Sequence, residues 1–153
     1  MSLKKLLLEQ EDIEQYKTLN DASAAQGISE LDQGQTKIWY LKSDFSRDYM
    51  MGIDFITNQL GLELPTAKTI EDTHTLLGSI RETDLDKIFH MLQGEVWSPH
   101  GEARNVISDL GLWHTSMSVG DIIEVDGSLF FVDRFGFKKL VNGGVKESIE
   151  RKQ

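Results

Sequence analysis

The 153-residue chain contains no cysteine. That absence excludes a disulfide framework, a thiol nucleophile and a thiolate metal site. No apolar run approaches the ~18 residues that a transmembrane helix needs. The opening stretch MSLKKLLLEQEDIEQ sets basic residues before three leucines. Its apolar run is too short for a signal peptide, and acidic residues follow at once. Internal repeats and low-complexity tracts are also missing. So are Gly-x-Ser-x-Gly, the P-loop and His-Glu-x-x-His, the motifs that would announce a hydrolase, a nucleotide site or a zinc peptidase. A cytoplasmic protein with no cofactor, no bound metal and no membrane partner is the expectation.

What is present begins with charge. The net charge is −9, and it is uneven. Residues 134–153 carry Arg134, Lys138, Lys139, Lys146, Arg151 and Lys152 against Glu147 and Glu150, which sums to +4 and leaves −13 on residues 1–133. An acidic body of this kind is a solvated surface or a face that meets a basic partner. Direct binding of nucleic acid is disfavoured, because domains that do so usually run basic.

The densest local signals lie in residues 114–140. Asp121 to Val125 and Ser128 to Asp133 read as two strands, and Asp126-Gly127 between them suits a type I′ turn, both of whose central residues need φ > 0. Apolar residues occupy more than one face of these strands, so cover is expected on both sides. Phe135-Gly136-Phe137 follows, with both rings expected to turn inward beneath an apolar helix face. Upstream, residues 36–42 and 73–80 read as strands. Residues 84–93 read as the clearest helix, with Leu85, Ile88, Phe89 and Leu92 at i, i+3, i+4 and i+7 and Thr83 as its N-cap. A second short helix is expected over about 102–110. A helix from near Ser46 to Gly61 is weakened by Gly52, and a strand over 49–56 is the alternative. Residues 3–19 read as an amphipathic helix and 20–35 as a loop.

Together these give an α+β fold with a mixed or antiparallel sheet of four or five strands, packed helices and a C-terminal β-hairpin over 121–133. Residues 1–140 are expected to form one domain, with 73–140 its best-defined unit and 141–153 a flexible basic tail.

Ser-Met-Ser-Val-Gly-Asp-Ile-Ile, an acidic turn, and then Val-Asp-Arg-Phe-Gly-Phe resemble a signature in small uncharacterised proteins of phages, cyanobacteria and other prokaryotes. The segment is similar, more loosely, to YodL-like domains of mobile elements. The likeness runs from near Thr73 through Trp97-Ser98-Pro99 and Gly101-Glu102-Ala103-Arg104 to the Phe-Gly-Phe exit. It implies one structural unit and a phage or mobile-element source. It brings no catalytic assignment.

The stretch from Trp97 to Ser118 gathers the best candidate chemistry. His100, Glu102, Arg104 and His114 offer a base, an acid and a guanidinium, which serve acyl or phosphoryl chemistry only if they converge. The bland alternative is that Trp97 and Trp113 pack a loop on the core while Ser116 and Ser118 bond the backbone. Asp121, Glu124, Asp126 and Asp133 form a carboxylate group without a metal-loop pattern. The leading expectation is a small non-enzymatic accessory protein that binds another macromolecule, most simply a protein. Trp97, Trp113, Arg134 and Phe135 are its contact residues. A small hydrolase-like or other enzyme using the His100/Glu102/Arg104/His114 region and a module binding RNA or DNA are the alternatives.

Overall fold

A computed structural model describes residues 36–151. The expected helix over 3–19 and loop over 20–35 lie outside the described residues. Six strands form one antiparallel sheet: β1 (Thr36–Leu41), β2 (His74–Ile80), β3 (Ile122–Val125), β4 (Ser128–Val132), β5 (Phe137–Val141) and β6 (Gly144–Ile149). Their order is β2-β1-β3-β4-β5-β6. The α+β class is as expected, and the sheet has six strands where four or five are read from sequence.

Alternation of side chains along each strand splits the core in two. Ile38 and Tyr40 of β1, Leu77 of β2, Ile123 of β3 and Phe137 of β5 face one cluster. Trp39 and Leu41 of β1, Ile122 of β3, Leu129 and Phe131 of β4 and Leu140 of β5 face the other. The first face is covered by α3 (Leu85–Met91), α4 (Gly94–Trp97) and α5 (Arg104–Asp109). The second is covered by the β1–β2 connection, which holds α1 (Ser46–Tyr49), a π-helical turn (Phe55–Gln59) and α2 (Ile70–Thr73). The chain therefore supplies both covers itself. Gly52, at φ 97°, breaks the expected 46–60 helix into these short pieces.

The α3 stripe behaves as its spacing dictates: Ile88, Met91 and Leu92 are fully buried, and Leu85 and Phe89 pack at the margin. Each fully buried side chain of this size is worth about 1.5–3 kcal/mol. The N-cap is Asp84 rather than Thr83; its side chain accepts from Lys87 N. Glu82 is taken up in the same turn, accepting from Thr83 N and Asp84 N.

The 121–133 hairpin closes at Asp126 (φ 49°) and Gly127 (φ 85°), as a type I′ turn requires. The described part of the expected flexible tail over 141–153, residues 141–151, is instead mostly strand. Asn142 (φ 54°) and Gly143 (φ 82°) make a second turn of the same kind, and β6 pairs with β5 along its length. Beyond it, the Arg151 guanidinium lies 4.4 Å from the Phe89 ring centroid and donates to the carbonyls of Asp133, Arg134 and Gly136. Phe137 is fully buried and meets Phe89 edge-on at 6.2 Å. Phe135 is not inward: it is 83% exposed. In an extended chain positions 135 and 137 would share a side. The turn closed by Asp133 N donating to Gly136 O, with Gly136 at φ 80°, breaks that parity.

A Cβ on Gly136 would run into the Ile149 carbonyl and approach Arg151 N. Both the left-handed φ and the close backbone oppose any side chain here. Gly136→Ala is expected to cost about 1–3 kcal/mol, read as a lowered urea midpoint with an unchanged m-value.

Candidate functional site

Two histidines far apart in sequence meet at adjacent residues, His74 at the Gly120 carbonyl and His114 at the Asp121 carboxylate. The Ser118-Val119-Gly120-Asp121 turn brings the chain into β3, and Gly120 at φ 102° leaves no room for a side chain against Leu41 and Tyr49. Asp121 then points back into the fold and is fully buried. Its Oδ1 accepts from Leu41 N at 2.8 Å and its Oδ2 from Ser118 N at 2.8 Å. His114 Nε2 lies 2.9 Å from both oxygens. That symmetric contact fits an Nε2–H shared between the two oxygens of a carboxylate. Burial pushes the Asp121 carboxyl above its ordinary range, and the donors from His114, Leu41 and Ser118 pull the other way. Three N–H donors, one of them shared between both oxygens, favour the carboxylate over the acid.

The His114 ring stacks on Tyr40, with centroids 4.6 Å apart and planes 14° from parallel. Tyr40 donates its hydroxyl to Thr115 O at 2.7 Å. The His114 side chain is 24% exposed, so the pair sits at the boundary between core and solvent.

At the adjacent Gly120 carbonyl, His74 is buried. Its Nε2 donates to Gly120 O at 2.6 Å, and its Nδ1 lies 2.7 Å from Thr73 Oγ1. Burial is the main reason its pKa falls to about 4, against the hydrogen bond to Gly120; the charges of His114 and Lys42 lower it further. A neutral ring donating through Nε2 accepts at Nδ1 a hydrogen bond from the Thr73 hydroxyl. Tyr49 hydrogen-bonds the same threonine, and burial pushes its phenol up.

The expected catalytic set does not assemble. His100 and Glu102 meet only through a local turn, in which both Glu102 oxygens lie 3.1 Å from His100 N. Arg104 is exposed and folds over Gly101. His114 turns away from all three, toward Asp121. Ser116 Oγ accepts from Gly94 N, and Ser118 Oγ donates to Ser116 O, so both hydroxyls serve the backbone. The carboxylate group disperses as well: Glu124 accepts from Trp39 Nε1 and Asp133 from Ile53 N. Among the described residues no group of three or more histidines and carboxylates could hold a metal ion.

Of the expected contact residues, Trp97 is corrected. It lies in α4 rather than an exposed loop, is completely buried, and donates Nε1 to Thr115 O at 3.1 Å. Its indole belongs to the core and cannot touch a partner. Trp113 is 79% exposed, and Arg134 is exposed beside Phe135. The Arg134 side chain lies against Gly52, which brings the half-exposed Met50 and Met51 turn alongside the Phe135 loop.

The role of Asp121 as a partner for His114 was not read from the sequence. The signal was available in part. Gly120-Asp121 after Ser118 marks a turn, without showing which group the aspartate side chain accepts from. Nothing in the spacing points to His114 or Leu41.

Compared with known proteins, the chain matches no family model, no curated protein and no solved structure. No helix among the described residues is long and apolar enough to cross a membrane.

Two outcomes follow from the corner. In Asp121→Asn, whichever way the amide turns, its NH2 faces an N–H donor. The loss should be about 3 kcal/mol, measured by urea denaturation. For His74, the unfolded chain takes a proton near pH 6.5 while the folded chain refuses it until about 4. Stability is therefore full above pH 6.5, falls as pH drops to about 4, and loses nothing more from this group below that. The fall should be a few kcal/mol, and the His74→Gln variant should lack this part of the pH dependence.

Proposed function

We propose that the protein acts by binding another macromolecule, most simply a protein, as a small accessory protein of the phage or mobile-element type that its C-terminal half resembles. The observation that carries this reading is the pair of bare aromatic side chains, Trp113 and Phe135, at 79% and 83% exposure. Single exposed apolar residues are ordinary, but both of these stand on held backbone. Trp113 precedes the His114 anchor on Asp121. Phe135 sits in the turn that Arg151 ties down. Aromatic and arginine side chains on such supports are what protein contact sites use as anchors. Arg134 beside Phe135 supplies the arginine.

A second reading, proton transfer by His114, draws on the His114–Asp121 pair. A buried carboxylate that orients an imidazole at the solvent boundary is a general-base arrangement. Against it, the neighbouring hydroxyls of Ser116 and Ser118 are committed to the backbone.

One set of variants separates the two. Tagged wild type is expected to recover a stoichiometric partner from host lysate. Trp113→Ala/Phe135→Ala should lose that partner while keeping its circular dichroism and melting temperature, and His114→Gln should keep it. Equal recovery by the double variant would overturn the binding reading.

A further inference from the structure

A hollow of about 340 Å³ lies between the β4–β5 turn and the end of β6, lined by Arg134, Phe135, Gly136, Glu150 and Arg151. We infer that this hollow is a binding site for a carboxylate carried on an acidic, apolar peptide segment of a partner protein. The inference rests on the macromolecular-binding reading and names the chemistry of the partner.

Charge is the first argument. Two guanidinium groups line the hollow, and among the described residues neither forms an ion pair with a carboxylate. Among the described residues Arg151 meets only neutral groups: three backbone carbonyls, at 3.3 to 3.5 Å, and the rings of Phe89 and Phe137. Its positive charge is held in place by neutral groups and, among the described residues, is not bonded to a carboxylate. Arg134 is exposed, with its aliphatic stem against Gly52. An arginine fork is suited to a planar oxyanion.

The choice among anions comes from the other lining groups. Glu150 already contributes one negative charge, so the hollow sums to +1 at neutral pH. That balance suits a singly charged carboxylate better than a phosphate dianion. Phe135 adds a hydrocarbon face. A leucine or phenylalanine next to the incoming carboxylate would cover it. Nucleic acid fits poorly, because its closely spaced phosphates would meet the −13 of residues 1–133. The basic C-terminal segment is thus an acceptor built into an acidic molecule, and it sits beside the ring that the fold leaves bare.

The test uses the full chain and a short peptide alternating glutamate with phenylalanine, its glutamine counterpart, inorganic phosphate and a single-stranded oligonucleotide. The readout is the ¹H–¹⁵N spectrum, followed at the Gly136 amide and the arginine Nε–H groups. The glutamate peptide is expected to shift Gly136 saturably, with the glutamine peptide at least about threefold weaker. Arg134→Ala should weaken binding about threefold to fivefold. Phe135→Ala should weaken it about tenfold. Both residues are exposed, so the fold should survive either change. An unmoved Gly136, an equal response to the glutamine peptide, or tighter binding of phosphate or oligonucleotide would each overturn the assignment. If the tagged protein still recovers a partner that the Trp113→Ala/Phe135→Ala variant loses while Gly136 ignores the glutamate peptide, the carboxylate assignment falls and the broader reading stands.

Discussion

The Asp121 carboxylate is the contact on which the rest of this structure depends. β1 and β3 pair from Thr36–Val125 to Trp39–Ile122, and there the ladder stops because the chain turns away at Gly120. Leu41 N would be left without a partner in the buried interior, a loss of about 1–3 kcal/mol. The Asp121 side chain supplies the missing acceptor, and its second oxygen closes the Ser118 turn. His114 completes the set. One side chain thereby joins the end of β1, the start of β3 and the loop that carries Trp113.

The same corner connects the two halves of the core. His114 stacks on Tyr40, a member of the cluster under α3, α4 and α5. His74, held to the Gly120 carbonyl, meets Tyr49 edge-on at 6.0 Å, and Tyr49 belongs to the opposite cluster. A sheet with apolar residues on both faces needs its two covers held in register with one another. Here two adjacent polar groups do this, the Gly120 carbonyl, which accepts from the buried His74 ring, and the Asp121 carboxylate, which accepts from His114. Acidification therefore attacks the junction between the covers before it attacks either apolar cluster.

How much of this was legible in the sequence follows the range of the interactions. The 121–133 hairpin and the α3 stripe are local, set by Asp126-Gly127 and by the spacing of Ile88, Phe89 and Leu92, and both were readable. The β5–β6 hairpin was equally local. Its Asn142-Gly143 turn carries the strongest short hairpin signal. The exposed charges on β6, an edge strand, made it look like a frayed tail, although charge on an edge is a normal guard against sheet-to-sheet pairing. The candidate site was scarcely legible, because it is assembled from Leu41, His74, His114 and Asp121, which only the strand order brings together. Trp97 and Phe135 exchanged their expected places for a similar reason. A tryptophan among Ser, Pro, His and Gly looks exposed, and an aromatic two residues from a buried one looks buried. In each case a turn of four residues decides the matter.

Exposure alone would be weak ground for assigning a contact role to Phe135, since folded proteins leave many apolar groups in water. The stronger ground is what holds the ring there. The 133–136 turn uses a left-handed glycine wedged against the Ile149 carbonyl, and Arg151 spans three of the turn's carbonyls while lying on Phe89. A mobile loop would surrender its conformational entropy when it met a partner. A braced one has given most of it up in folding, so more of the contact energy is retained as affinity. The Arg151 latch and the bare ring are therefore parts of one arrangement, in which the positive charge that fixes the turn is also left open to a partner's carboxylate.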